Sequence, residues 1–179
     1  MNFKELLSQL AFALGSQKVD YALIGGVSLG FWGVNRSTLD LDFLINSDDL
    51  GKAESILYDL KYKSFYKTEE VAQYLPEAGG VAVDILIARR KYTLEMLKQS
   101  EIHHVSGFSL KVLRPEGIIG LKLQAMGNAP EREALELCDI ESLLKSNPGL
   151  DWNQLKEYFL LFKREDLFQE LKAKYEADR

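Results

Sequence analysis

Apolar residues recur at helical spacing from the start of the chain. Phe3, Leu6, Leu7, Leu10 and Leu14 share one side, with Lys4, Glu5, Ser8 and Gln9 on the other. That period predicts an amphipathic helix closed at Gly15-Ser16. The pattern then changes to a strand over Val19–Ile24, broken at Gly25-Gly26. Val27–Trp32 predicts a short helix ended by Gly33, Asn35–Thr38 is polar loop, and Leu39–Ile45 predicts a second strand. Asn46-Ser47-Asp48-Asp49 has turn and cap chemistry and leads into a helix from about Leu50 to Leu60. Tyr62–Tyr66 predicts another strand, and the segment after it fits no single period. Val81–Ala88, "VAVDILIA", has the β-branched run of a central strand. "KYTLEMLKQS" predicts a short helix, followed by brief strands at Ile102–Val105 and Ser109–Val112.

From Pro115 the pattern is helical. Proline suits a helix start because its missing N–H would have no partner there. Three or four helices are expected over Glu116–Tyr175, separated by Gly127-Asn128-Ala129-Pro130, Asn147-Pro148-Gly149 and a weak break near Lys163. The expected class is α+β: a mixed sheet with flanking helices over residues 1–113, then a helical region over 114–179.

Composition narrows the function classes. The apolar fraction is 46% and the charged fraction 27%, as in ordinary globular proteins, and the net charge of −5 argues against binding nucleic acid over the whole surface. A local basic groove stays compatible with it. The single cysteine, Cys138, excludes an internal disulfide framework and suits a reducing cytosol. The uncharged stretch Tyr21–Val34 is too short and glycine-rich to span a bilayer, and the amphipathic N-terminus is no signal peptide.

The candidate chemistry begins where two like charges interrupt core-type sequence. Asp40 and Asp42 stand among Leu39, Leu41, Phe43, Leu44 and Ile45. On a strand, residues two apart project to the same side, so the two carboxylates raise each other's pKa unless a cation lies between them. Mg²⁺ takes hard oxygen ligands, commonly one or two carboxylates plus substrate phosphates. The bland alternative is that one of the pair faces inward, or that both cap a loop. Gly25-Gly26, at the passage from strand to helix, supplies backbone N–H groups at a positive helix end, suited to phosphate, although a tight turn alone uses Gly-Gly equally well. Asp84 is a third carboxylate, inside "VAVDILIA" between Val83 and Ile85, where a lone charge is costly without a partner or metal. If its strand lies beside that of Asp40 and Asp42, three carboxylates converge in a two-metal arrangement for in-line displacement at phosphorus, with Asp84 also placed to help remove a proton from the attacking hydroxyl.

Gly25-Gly26, a short helix, "RSTLDLDFLI" and the later strand aspartate together resemble the DNA polymerase β-type nucleotidyltransferase superfamily. Within it, "ALIGGVSLGFWGVNRSTLDLDFLI" and "LRPEGIIGLKLQAMGNAPEREALELCDIESLL" are similar to the AbiEii-like branch, toxins of abortive-infection toxin–antitoxin systems. The match runs over roughly Tyr21–Leu144. The resemblance implies transfer of a nucleoside monophosphate from an NTP, with Mg²⁺ (or Mn²⁺) as cofactor. It implies an RNA, tRNA or protein hydroxyl as acceptor, an antitoxin partner and a cytoplasmic location. It puts Gly25, Gly26 and Ser28 at the triphosphate, Asp40, Asp42 and Asp84 on the metals, Lys122 beside phosphate, and Asp139 in a helical-region site with Arg132 near it. Two positions depart from the pattern: many members have serine where Gly26 stands, and branch members carry Lys-Asp where Leu135-Glu136 stands here.

Arg36 and Thr38, in the loop before the aspartates, are candidates to steady the nucleotide or one another, and Arg36 reads equally as a bidentate phosphate fork or a solvated loop residue. Lys122 lies on an apolar helix from which its ammonium reaches inward or snorkels out. His103-His104 lacks companions for a zinc site. Lys61, Lys63, Lys67, Arg89, Arg90 and Lys91 supply either a basic lip for a polynucleotide or an ordinary charged face. The helix pair within "LKEYFLLFKREDLFQELKAKY" reads as bundle core. Two other readings remain open: a nucleotide-binding module without turnover, and a small-molecule nucleotidyltransferase of the aminoglycoside type.

Overall fold

The computed structural model describes residues 3–105 and 107–176. The chain folds as two compact units. One runs up to Ser28 and from Arg36 to Leu113; the other comprises Leu29–Asn35 and the chain from Arg114 onward. No helix among the described residues is long and apolar enough to cross a membrane.

The first unit is built on one seven-stranded mixed sheet in the order β3-β4-β5-β2-β1-β7-β6. The strands are β1 (Tyr21–Ile24), β2 (Leu41–Asn46), β3 (Tyr62–Lys67), β4 (Val71–Pro76), β5 (Val83–Ala88), β6 (Glu101–Val105) and β7 (Phe108–Val112). Its helices are α1 (Phe3–Ser16), α3 (Leu50–Asp59) and α4 (Lys91–Lys98), together with the start of α2 (Gly25–Phe31). α1 packs on β7, α3 on β2 and β3, and α4 on β2 and β5. Leu6, Leu7, Leu10 and Leu14 of α1 are buried, as their spacing requires.

Strand faces follow from register. Leu41, Phe43 and Ile45 of β2 pair with Val83, Ile85 and Ile87 of β5, and all six are buried. Ala72 and Tyr74 of β4 continue this core face, and Tyr21 meets Phe43 edge-on with ring centroids 6.0 Å apart. The alternate positions carry Asp42 and Asp84. β1 and β2 run antiparallel, whereas β2 and β5 run parallel. A parallel pair needs a long crossover, supplied here by α3 and the β3–β4 hairpin.

Three sequence expectations shift. β2 begins at Leu41 rather than Leu39, so Asp40 stands in a bend before the strand and not on it. α2 starts at Gly25 itself, two residues earlier than the apolar pattern implies, because Gly25 adopts φ +67° and turns the chain directly from strand to helix. The segment without a clear period is β4. Its exposed and buried residues alternate, but it runs into Pro76 and faces solvent on one side, which thins the signal.

The second unit contains α5 (Pro115–Asn128), α6 (Glu133–Ser146), α7 (Trp152–Leu161) and α8 (Glu165–Glu176). Pro115 opens α5 at its first turn, and Asp151 caps α7 by accepting from the Asn153 and Gln154 N–H groups. Leu123, Ile140, Leu143, Leu155, Phe159 and Leu171 form the core, with the Phe159 and Phe168 rings 5.5 Å apart. Asn147 Nδ2 donates to the Trp32 carbonyl at 3.0 Å, tying residues 29–35 into this unit.

A charge cluster is buried among these helices. Lys122 Nζ donates to Glu136 Oε2 at 2.8 Å and to Asp139 Oδ2 at 2.5 Å, while Arg132 pairs with Glu136 Oε1 at 2.7 Å. Two cations thus balance two carboxylates where desolvation would otherwise be severe. Removing the central cation by Lys122→Met takes the lysine from two buried acids and leaves Arg132 alone on Glu136, with an expected loss of about 3–5 kcal/mol in urea unfolding. Adding Glu136→Gln and Asp139→Asn to that variant is expected to recover most of the loss.

Candidate active site

Asp42 and Asp84 come together because β2 and β5 are parallel neighbours in a register that sets Asp42 opposite Asp84. Adjacent strands lie about 4.8 Å apart, so two carboxylates leave the same sheet face side by side. On the far side of Asp84, β4 sets Gln73 opposite it, and the Gln73 side chain hydrogen-bonds the Asp84 carboxylate. Asp84 Oδ1 is nevertheless buried without a hydrogen-bond partner. Burial pushes the Asp84 carboxyl above the usual range, the Gln73 bond draws it down in part, and the charge of Asp40 adds to the rise.

The three acids named from sequence are therefore held differently. Asp42 and Asp84 are adjacent strand partners, while Asp40 acts on Asp84 across the gap from its bend. Among the described residues no three His, Cys, Asp or Glu side chains close on a common point able to hold a metal ion. The structure presents an acid pair with a third carboxylate near enough to be felt. The cleft they share measures about 320 Å³ and is lined also by Ile24, Tyr66, Val71 and Gln73.

The glycines are fixed by this pair. A Cβ at Gly25 would overlap the Asp42 carboxylate, and its positive φ disfavours any side chain. A Cβ at Gly26 would sit 2.8 Å from Thr38 Cβ. The first turn of α2 therefore starts against Asp42. Its leading N–H groups, left by a helix without an i−4 partner, are donors of the kind that cradles phosphate. Thr38, named from sequence as a nucleotide contact, packs on Gly26 and shapes that turn. Ser28 is corrected more sharply: it is fully buried, and its hydroxyl donates to the Gly25 carbonyl at 2.8 Å, so its proton is spent inside the helix. Arg36 is half-buried in the loop before β2. Lys122 belongs to the helical unit and is held there by Glu136 and Asp139, as is Asp139 by Lys122.

Four of the six basic residues of the expected lip stand beside glutamates. Lys63 pairs with Glu77 at 3.2 Å, Lys67 with Glu54 at 2.5 Å, Arg89 with Glu69 at 4.0 Å, and Arg90 with Glu70. His103 and His104 lie on the edge strand β6, where His104 Nδ1 meets Ser109 Oγ at 2.8 Å. Gln73 is the site residue that sequence reading missed. Its signal was there: a lone amide at the middle of β4, alternating with Ala72 and Tyr74, marks the same face as a carboxylate one strand away.

The acid pair passes a test of fit for a divalent cation. Its donors are hard oxygens, one oxygen is buried and unsatisfied, and the neighbouring backbone has been stripped of its Cβ. No family model and no curated protein matches the chain. Solved structures do. The chain is similar to ANT(2")-Ia, solved in complex with adenylyl-2"-tobramycin, at a TM-score of 0.65 and 14% identity over 89% of this chain and 95% of that one. It is similar to an antigenic nucleotidyltransferase-like protein from Paracoccidioides brasiliensis, TM-score 0.59 and 22% identity over 95% and 92%. It also matches the lincosamide antibiotic adenylyltransferase LnuA, TM-score 0.57 and 16% identity over 80% and 96%. The fold is a nucleotidyltransferase fold.

Within a nucleotidyltransferase fold the strained acid has a measurable cost. Folding holds the Asp84 proton more tightly than the unfolded chain does, so ionisation destabilises the metal-free protein as pH rises above the ordinary carboxylate range. Asp84→Asn is therefore expected to stabilise the metal-free protein at pH 7 by about 1 kcal/mol, a Tm rise of about 2–4 °C. Millimolar Mg²⁺ is expected to raise the wild-type Tm and leave that of the variant unchanged, as read by scanning calorimetry.

Proposed function

We propose that this protein is a divalent-metal-dependent nucleotidyltransferase that moves a nucleoside monophosphate from an NTP to an acceptor hydroxyl. The observation that carries it is the Asp42–Asp84 pair set against Gly25, with a buried, partnerless carboxylate oxygen on Asp84 at the cleft. Asp42 and Asp84 would hold Mg²⁺ or Mn²⁺, with Asp40 contributing from its bend. When bound, the cation neutralises charge on the phosphates and at the leaving oxygen. The amides of the Gly25-Gly26 turn hold the phosphate tail, and Arg36 stands as a further phosphate donor in the adjoining loop.

In the transfer the acceptor oxygen bonds to the α-phosphorus as the bond from that phosphorus to the bridging oxygen breaks. Pyrophosphate leaves with the electron pair. The hydroxyl proton passes to the Asp84 carboxylate and then to water. Positioning and charge stabilisation supply the rest of the acceleration. Lys122, assigned to phosphate on resemblance, is proposed instead to hold the helical unit together through Glu136 and Asp139.

The acceptor we favour is a small hydroxyl-bearing molecule. Four of the six basic lip residues are tied to glutamates, which leaves a poor track for a polynucleotide backbone. One of the similar structures is solved with adenylyl-2"-tobramycin and another is by name a lincosamide antibiotic adenylyltransferase, which supports this choice. A second reading, a toxin acting on RNA or protein in the company of an antitoxin, draws its support from the sequence resemblance of Tyr21–Leu144 to the AbiEii-like branch. The test is pyrophosphate release from each NTP with Mg²⁺, in the presence of small-molecule, RNA or protein acceptors. Asp42→Asn is expected to lower the rate by about a thousandfold or more while the protein stays folded, since the metal supplies several kcal/mol of charge stabilisation. NTP binding with no pyrophosphate release from wild type would instead establish a binding module.

A further inference from the structure

The row of strand partners that carries the acids extends beyond them. Tyr66 of β3 lies opposite Gln73 of β4, Gln73 opposite Asp84, Asp84 opposite Asp42, and Asp42 opposite Ile24 of β1. All five residues line the one cleft. Gly25 follows Ile24, so the row has a direction: glycine turn at one end, acid pair in the middle, aromatic ring at the other. At about 4.8 Å per strand, Tyr66 stands roughly 10 Å from Asp84.

In-line displacement requires the entering and leaving oxygens on opposite sides of phosphorus. With the leaving phosphates on the amides of the glycine turn, the acceptor hydroxyl enters from the Asp84 side. What lies beyond Asp84 in that direction is Gln73 and then Tyr66. Tyr66 is 56% exposed, Val71 39% and Leu75 38%, and Val71, Gln73 and Leu75 alternate along one face of β4 while Ala72 and Tyr74 are buried. An open apolar ledge thus continues from the acid pair to the edge of the sheet. Lys63, opposite Leu75 on this face, pairs with Glu77, whereas Lys67 lies opposite buried Ala72 and reaches Glu54 on the other face of the sheet.

Resting on the nucleotidyl-transfer reading, we propose that Tyr66, with Val71 and Leu75 beside it, is the platform on which the acceptor lies. The acceptor it fits is an uncharged or cationic molecule of one or two saturated rings bearing the reactive hydroxyl. The C–H face of such a ring packs on the tyrosine ring, and the roughly 10 Å from Tyr66 to Asp84 is spanned by one or two rings. The lysine on this face, Lys63, is already opposed by Glu77, which makes a poor seat for a phosphodiester chain.

The test uses the full chain, labelled NTPs and Mg²⁺ with a panel of neutral and amino-substituted pyranosides and cyclitols, and total RNA in parallel. A panel member is expected to be labelled. Tyr66→Ser is expected to raise the KM for that acceptor about tenfold, with kcat and the NTP KM unchanged, and Tyr66→Phe to restore it. Tyr66 is half exposed on an edge strand, so its loss opens no core. Val71→Lys, which puts a charge on the ledge, is a second variant expected to raise the same KM. The proposal is overturned if Tyr66→Ser leaves the acceptor KM unchanged or raises the NTP KM instead, since the ring would then serve the base. It is also overturned if RNA is labelled and the panel is not. Pyrophosphate release with no acceptor at all would remove the transfer reading itself, a distinct failure.

Discussion

The first unit is organised around the cost of keeping like charges in a sheet. Asp42 and Asp84 occupy neighbouring positions on central strands, and no ordinary packing requirement puts two carboxylates there. Each structural peculiarity around them answers that cost. Gln73 satisfies part of Asp84; Gly25 yields its side chain so that Asp42 has room; Thr38 closes on Gly26 and fixes the turn. The rest of the cost stays in the fold, with one buried oxygen of Asp84 unsatisfied. Stability is given up at the point where a cation and a polyphosphate would restore it, which is the usual relation between a strained site and its ligand.

How much of this the sequence discloses depends on whether the signal is local. The α1 period, the β-branched run of β5 and the glycine break were legible because each is written in consecutive residues. Asp42 and Asp84 were legible as anomalies, charges inside apolar strands. That they meet depends on the parallel register of β2 and β5, a long-range fact that no window of sequence contains. Asp40 stands in the bend before β2 rather than on the strand, a boundary two residues from the expected one, and its charge still reaches Asp84. Ser28 illustrates a different limit: its residue type suits phosphate, but a helix offers its own carbonyl first. Gln73 was missed because the lone amide of β4 acquires its meaning only from Asp84, its partner on β5.

The helical unit shows why residue type alone misleads about cations. Lys122 on an apolar helix suggested an inward ammonium reaching for ligand phosphate, and the ammonium does reach inward, to Glu136 and Asp139. A buried lysine held by two carboxylates is already balanced, and Arg132 completes the set. Such clusters specify a packing arrangement more than they add stability, because each ion carries its desolvation cost into the core. The same reasoning applies at the surface, where lip lysines and arginines read as a positive patch until their glutamates are seen.

These two electrostatic facts together constrain what enters the cleft. With carboxylates at its centre, the cleft has a field that favours positive charge over a bare polyphosphate. On the proposed function, a nucleoside triphosphate would enter through the glycine-turn amides together with a divalent ion, so nucleotide affinity and metal affinity would become one linked quantity. An acceptor approaching from the Tyr66 side meets the same field without that help. A neutral or cationic molecule gains from it or ignores it, whereas a polyanion is repelled at every phosphate. On the proposed function, the row of strand partners would sort its two ligands by charge as well as by direction, because the acids stand at the middle of the row.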